Sequence, residues 1–184
     1  LRATMSTMST SSSSSSSCPT HLIGVWRQIS QRCDSLCPIL KGLGMPQPLT
    51  YVACPIADAA HTTLRISCPQ PNTLQIVDKT PFGRNATRVP LDGSETPQKS
   101  KGRGKPYLLS ATSSESECSL NCRLTSRGDG WWTRSERFLS RDEADAPHGS
   151  ILVERHVLVR PGEEDVVVKR YFRKTDEEIA TPAS

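Results

Sequence analysis

The chain has 184 residues, 35% of them hydrophobic, and a formal net charge of +4. This length fits one domain with a core large enough to need neither a metal nor a disulfide. No segment approaches the roughly 20 consecutive apolar residues of a membrane-spanning helix, which excludes an integral membrane protein of that kind. The small excess of basic residues gives no argument for nucleic-acid binding.

The first 20 residues differ in composition from the rest of the chain. Between residues 1 and 17, twelve residues are Ser or Thr. Such a segment cannot bury enough apolar surface to offset its ordering entropy, so we expect a disordered head over 1–20. A Ser-rich, acid-poor start is also typical of organelle transit peptides.

From residue 21 the pattern predicts one strand, two short helices and then a series of strands. Apolar residues at spacings of three and four over 29–43 predict a helix that breaks or begins at Pro38. A second helix is expected from residue 48 or 50 to about residue 60. After Ala60 the apolar residues recur at every second position, which is the pattern of β-strands.

The remaining sequence predicts eight or more short antiparallel strands linked by tight turns. The dipeptides Asp92-Gly93, Asp129-Gly130 and Pro161-Gly162 are turn signals, and Lys99–Lys105 is a basic, Gly-rich loop. Short strands at this spacing favour a closed barrel or a sandwich.

The seven cysteines do not resemble a secreted disulfide framework. Their number is odd, so one thiol has no partner within the chain. Cys33 and Cys37, like Cys118 and Cys122, form CxxxC pairs, whereas zinc favours a tighter spacing and usually some histidine. We therefore expect free thiols in a reducing compartment, with no metal and no cofactor.

Two arginines lie inside otherwise apolar strands. Period two places Arg137 on one face with Trp131 and Leu139, and Arg170 on one face with Val168 and Phe172. A guanidinium buried on such a face needs an anion, and a ligand carboxylate matches its planar fork of donors. The opposite orientation would bring Lys169, Tyr171 and Arg173 inward, which costs more.

Several motifs, taken in order, resemble the intracellular fatty-acid-binding and retinoid-binding protein family. Gly24-Val-Trp26 is similar to its opening GxW, and Leu40–Gly44 to the end of its first portal helix. Thr80-Pro-Phe82, followed by Asn85, resembles its STFKN segment. Arg137, which follows the Asp129-Gly130 turn, and Arg170–Lys174 match its inward Arg and its closing R-x-Y-x-K.

The resemblance implies an all-β fold, an up-and-down antiparallel ten-stranded barrel with a helix-turn-helix lid over residues 21–175, followed by a short polar tail at 176–184. It implies an intracellular carrier of one long-chain fatty acid or similar apolar carboxylate, bound by Arg137 and Arg170. Phe172 stands where the family usually has Tyr. The cavity and portal would be lined by Trp26, Leu36, Leu40, Leu74, Ile76, Phe82, Leu139, Val168 and Phe172.

We expect a cytoplasmic monomer that is not an enzyme, because no catalytic motif is present. Four basic residues near the portal could contact anionic membranes transiently, namely Lys41, Lys99, Lys101 and Arg103. Two alternatives stay open. One is a structural subunit that kept the barrel and lost the ligand. The other is a chromophore or haem module that uses His156 or Cys122.

Overall fold

A computed structural model describes most of the chain from Cys18 to Asp176. The described residues are 18–59, 62–80, 83–98, 107–114, 119–126, 130–142, 145 and 149–176. Residues 1–17 of the predicted head, the tail from residue 177, Phe82 and the basic loop at 99–105 lie outside them. The predicted boundaries of the head, the barrel and the tail therefore stay predictions.

Ten strands form one antiparallel sheet. They are β1 (Gly24–Gln28), β2 (Thr63–Gln70), β3 (Thr73–Thr80), β4 (Gly83–Pro90), β5 (Thr96–Gln98), β6 (Tyr107–Ser114), β7 (Ser119–Ser126), β8 (Trp132–Leu139), β9 (Ile151–Val159) and β10 (Val166–Thr175). Their order is β4-β3-β2-β1-β10-β9-β8-β7-β6-β5. Because the first strand pairs with the last, the sheet curls into a barrel, as predicted.

The barrel has a seam between β4 and β5, which do not pair with each other over the residues that the structure describes. Beyond the end of β4 the chain crosses to β6, where Asp92 forms a bridge with Thr112. The Gly93 amide donates to the Ala111 carbonyl at 2.9 Å. The expectation that Asp92-Gly93 closes a hairpin is therefore wrong, because this dipeptide bridges the seam at the Pro90 end of β4.

Two helices connect β1 to β2, where the sequence predicted a lid. Helix α1 spans Cys37–Gly42 with Pro38 in its first turn, and α2 spans Gln47–Ala59. Pro38 fits there because the first turn of a helix has no intrahelical partner for its backbone amides. Among the described residues, no helix is both long enough and apolar enough to span a bilayer.

The apolar core lies inside the barrel. Its largest fully buried side chains are Trp26 and Phe172, which are 0% exposed. The Trp26 indole donates to the Leu22 carbonyl at 2.9 Å, so its one polar group is satisfied in the interior. Leu64 and Ile66 on β2 face the same core, as the period of two requires.

Four cysteines form two disulfides, which corrects the expectation of free thiols. Cys18 is linked to Cys68, and Cys37 is linked to Cys54. The first link attaches the segment before β1 to β2, and the second joins α1 to α2. Within the described part of the chain, Cys33 and Cys122 are free. A sequence cannot show these pairs, because pairing depends on the distance between Cα atoms in the fold.

Candidate functional site

Three adjacent strands bring the two predicted arginines together inside the barrel. Glu154 on β9 lies directly across from Arg137 on β8 and from Arg170 on β10. Opposite residues of an antiparallel pair share a face, with Cβ atoms about 4.5–5.5 Å apart. Arg137 is 6% exposed, Arg170 8% and Glu154 2%. The strand register thus builds a buried group of two guanidiniums and one carboxylate, here named the interior charge cluster.

Glu154 is the centre of this cluster. One of its carboxylate oxygens pairs with Arg137 Nη2, and the other lies 3.5 Å from Arg170 Nη1 and 2.9 Å from His156 Nε2. Burial alone would raise the pKa of Glu154, but the charges of Arg137, His156 and Arg170 outweigh it and hold that pKa well below its ordinary value. Glu154 is therefore ionised, and it supplies one negative charge for two guanidiniums.

Each guanidinium retains a donor with no partner. Arg137 Nη1 donates to Cys122 Sγ at 3.6 Å, and Arg170 Nη2 donates to Gln28 Oε1 at 2.5 Å. The Nε atoms of both arginines are buried, and neither has a hydrogen-bond partner among the described residues. A buried unsatisfied donor costs about 1–3 kcal/mol. Both atoms are thus available to an oxygen of a ligand or of a water molecule.

A second carboxylate, Asp78 on β3, faces the same interior. It alternates with Leu74 and Ile76 on the inward side of its strand and is partly buried. Burial raises the pKa of Asp78, and the nearby charge of Glu154 raises it further, against the opposing effects of Arg137 and Arg170. The two acids of the interior thus have pKa values shifted in opposite directions.

A cavity of about 230 Å³ lies between the helix pair and the strands. Its wall on the helix side is apolar and consists of Leu36, Leu40, Met45, Ala53 and Ala57. Its strand side consists of Thr62, Thr80 and Arg170. An apolar pocket that ends on one side in a cation has the composition of a site for an amphiphilic molecule. Its volume is below the roughly 300 Å³ at which small-molecule sites begin.

The predicted site residues fall into two groups. Leu36, Leu40 and Arg170 line the cavity, and Arg137 lies in the interior charge cluster next to Arg170. The others lie on the inward faces of the strands as buried or partly buried core residues, namely Trp26, Leu74, Ile76, Leu139, Val168 and Phe172. Phe82 is outside the described residues. The assignment of Arg137 and Arg170 to a ligand carboxylate stays a prediction.

Glu154, Asp78 and Gln28 were not predicted as members of the site. The period of two that placed Arg170 inside also applies to Glu154, which alternates with Leu152 and His156 on β9. The same reasoning would have placed Asp78 inside. No local pattern reveals that Glu154 faces both arginines, because that depends on the register of three strands.

His156 and Cys122, the residues considered for a chromophore or haem, are poorly suited to bind either group. His156 Nε2 contacts Glu154, and Nδ1 lies 2.8 Å from Ser135 Oγ, so neither ring nitrogen is open to a metal. Burial raises the pKa of the Cys122 thiol, which keeps it protonated and a poor nucleophile. This site is therefore suited to hold a ligand by non-covalent contacts.

Solved structures with this arrangement of strands and helices are known. A Schistosoma mansoni fatty-acid-binding protein in complex with arachidonic acid matches with a TM-score of 0.60, 10% identity, and coverage of 88% of this chain and 99% of that one. The human cellular retinoid-binding protein cRBP IV matches with a TM-score of 0.56, 13% identity, and coverage of 84% and 98%. The chain has the fold of the intracellular fatty-acid-binding and retinoid-binding proteins. The predicted resemblance is thereby confirmed.

The same fold is found in a protein described by its fluorescence. The fluorescent protein UnaG matches this chain with a TM-score of 0.61 and 20% identity over 86% of this chain and 100% of that one. No model of a known protein family matches the chain, and no curated protein matches its sequence significantly. At these identities the likeness to fatty-acid-binding and retinoid-binding proteins establishes the fold alone.

Proposed function

We propose that the barrel binds and carries one apolar ligand with an acidic head group, such as a long-chain fatty acid. The tail would lie in the apolar cavity beneath α1 and α2, and the head would lie against Arg170 and Arg137. The observation that carries this proposal is the pair of buried Nε donors with no protein acceptor among the described residues. Arg170 also lines a cavity whose other wall is apolar, and Glu154 connects Arg170 to Arg137.

The charge of the cluster supports an anionic head group. Arg137 and Arg170 bring two positive charges; among the described residues Glu154 pairs with both and neutralises one charge, whereas Asp78 pairs with neither. A ligand carboxylate would neutralise the other and accept hydrogen bonds from the unpaired donors, each charge-assisted bond contributing about 1.5–3 kcal/mol. Each methylene removed from water adds about 0.8 kcal/mol. Because the cavity is only about 230 Å³, a long acyl chain needs the helix pair to move outward.

The rival interpretations differ in what they expect of the interior. A purely structural subunit would have no space under the helices, so the cavity favours a ligand. The fold shared with UnaG supports a pigment held without a covalent bond as a second candidate. Absorption of visible light by the purified protein would favour the pigment, and native mass spectrometry of a co-purifying fatty acid would favour the carrier.

The remaining predictions concern the setting of this function. The protein would act as a monomer and without catalysis, and the exposed Lys41 on α1 would aid brief contact with anionic membranes. Lys99, Lys101 and Arg103 lie outside the described residues. The cytoplasmic assignment stays a prediction, and the two disulfides weigh against a strongly reducing compartment.

Substitution of Arg170 tests the placement of the head group. Arg170→Ala should weaken the binding of dodecanoate about tenfold to a hundredfold and leave dodecanol binding nearly unchanged, because only the acid uses the guanidinium. Titration calorimetry measures both. Arg173→Ala is the matched control, because Arg173 lies on the same strand with its side chain exposed. Equal losses for the acid and the alcohol would remove Arg170 from the site.

A further inference from the structure

The barrel interior holds two acids in contrasting surroundings. Glu154 has three nitrogen partners, whereas Asp78 forms no salt bridge or side-chain hydrogen bond among the described residues. Asp78 still experiences the charges of Glu154, Arg137, Arg170 and His156. The charges of the interior charge cluster thus act on Asp78, although Asp78 pairs with none of its members among the described residues.

Asp78 is one inward position along β3 from a residue that lines the cavity. On the inward face of β3 the next residue after Asp78 is Thr80, which lines the cavity together with Arg170. A head group that reaches the Nε atoms of Arg170 and Arg137 therefore enters the region whose electrostatic potential Asp78 sets.

The protonation state of Asp78 decides whether this region can accept an anion. With Asp78 and Glu154 both ionised, their charges cancel those of Arg137 and Arg170, and an entering anion meets no net positive charge. With Asp78 protonated, one positive charge remains uncompensated. Because charges in a buried site are weakly screened, a change of one unit strongly alters the affinity for an anion.

We propose that Asp78 takes up one proton from solvent when an anionic head group enters the barrel, which makes ligand binding proton-coupled and Asp78 a specificity-determining residue. This inference rests on the proposed function. The ligand enters as the anion, the proton adds to a carboxylate oxygen of Asp78, and the resulting hydroxyl can donate a hydrogen bond.

Asp78 is the group that takes up the proton, because Glu154 and Cys122 keep their protonation states. Glu154 stays ionised between its cationic partners, as its lowered pKa indicates. The Cys122 thiol on β7 stays protonated, since burial raises its pKa. The residues opposite Asp78 on the neighbouring strands are Leu64 on β2 and Asn85 on β4, and neither carries a charge. His156, whose ring contacts Glu154, is the alternative acceptor that a variant tests.

The experiment uses the full chain freed of lipid and two probes. Anilinonaphthalene sulfonate carries the charge of a strong acid, so it stays an anion at every pH of the titration. In the wild type, its affinity should fall as the pH rises, by up to about tenfold per pH unit for one coupled proton. Dodecanol, which is neutral, should bind equally at every pH.

Two variants identify the proton acceptor. Asp78→Asn should make sulfonate affinity independent of pH and equal to that of the wild type at its acidic limit. His156→Gln should keep the wild-type slope. Asp165→Asn, in an exposed turn, is the matched control for loss of one acid. Calorimetry of the wild type in two buffers of different ionisation enthalpy should also show proton uptake with the sulfonate and none with dodecanol.

The possible results separate a failure of the role of Asp78 from a failure of the carrier function. A slope that persists in Asp78→Asn, or that disappears in His156→Gln instead, would overturn the role of Asp78 while leaving the carrier function intact. Absence of proton uptake in the calorimetry of the wild type would overturn it as well, without reliance on any variant. Failure of the wild type to bind either probe would refute the carrier function, and this inference with it.

Discussion

Glu154→Gln separates the contribution of the interior charge cluster to folding from its contribution to binding. The substitution keeps the size of the side chain but removes the negative charge between Arg137 and Arg170, which are 6% and 8% exposed. Removing one partner of a buried ion pair costs about 3–5 kcal/mol, because the remaining charge stays buried without compensation. Since glutamine retains one acceptor oxygen, we expect about 3 kcal/mol. In a chain of 184 residues this lowers the Tm by about 6–12 °C.

The pH dependence of this loss has a defined sign. The folded-state pKa of Glu154 is lowered, so its stabilisation is present above its unfolded-state pKa and is lost as the pH falls through the folded value. The free energies of unfolding of the wild type and Glu154→Gln, measured in urea, should therefore differ at neutral pH and converge in acid.

The substitution should increase the affinity for a ligand carboxylate, although it lowers the stability of the free protein. With Glu154 neutral, a ligand carboxylate is the only anion in direct contact with both arginines, so Glu154→Gln should bind dodecanoate more tightly and regain stability when the acid is present. The double variant Glu154→Leu, Arg137→Met should lose less stability than Glu154→Gln, because it removes the charge and its partner together. A Glu154→Gln protein as stable as the wild type at neutral pH would refute the assigned role of Glu154.

Two further substitutions test the helix pair. A Cβ atom at Gly42 would overlap a methyl carbon of Leu158, which is fully buried. Gly42→Ala should therefore lower the free energy of unfolding, measured in urea, by about 1–3 kcal/mol, and adding Leu158→Val should recover part of the loss. If the double variant is no better than Gly42→Ala alone, α1 does not pack as described. Replacing Cys37 and Cys54 together by alanine should lower the free energy of unfolding by about 2–4 kcal/mol, and Cys33→Ala is the control. If the double variant is as stable as the wild type under oxidising conditions, the disulfide between α1 and α2 contributes nothing to stability.

The strands of this fold were readable from the sequence because alternation is a local property. The run 166–172 has apolar residues at every second position around Arg170, namely Val166, Val168 and Phe172, and this predicted an inward arginine before any partner was known. Helix α1 was found through Pro38, whose missing amide hydrogen is tolerated only in the first turn. In both cases the signal lies within a few neighbouring residues.

The composition of the site was not readable in the same way. The sequence indicated that Arg137 and Arg170 need an anion, and a ligand was the natural choice when each strand was considered alone. The register of three strands supplies a protein anion, Glu154, from a strand whose other inward residues are mostly apolar. The Cys18–Cys68 pair was equally hidden, since its members are separated by 50 residues.

The gap between β4 and β5 is the point at which the circumference of the barrel is least constrained by ladder hydrogen bonds. Around the rest of the circumference neighbouring strands are joined by ladder hydrogen bonds, but none joins β4 to β5 within the described residues. The bridge from Asp92 to Thr112 fastens this gap beyond Pro90, whereas the Gly83 end of β4 pairs with Thr80 beside the cavity. Among the described residues, the gap is therefore bridged beyond Pro90, and no ladder hydrogen bond crosses it beside the cavity. Widening the barrel there to admit a ligand larger than the cavity would break no ladder hydrogen bond between the described strands.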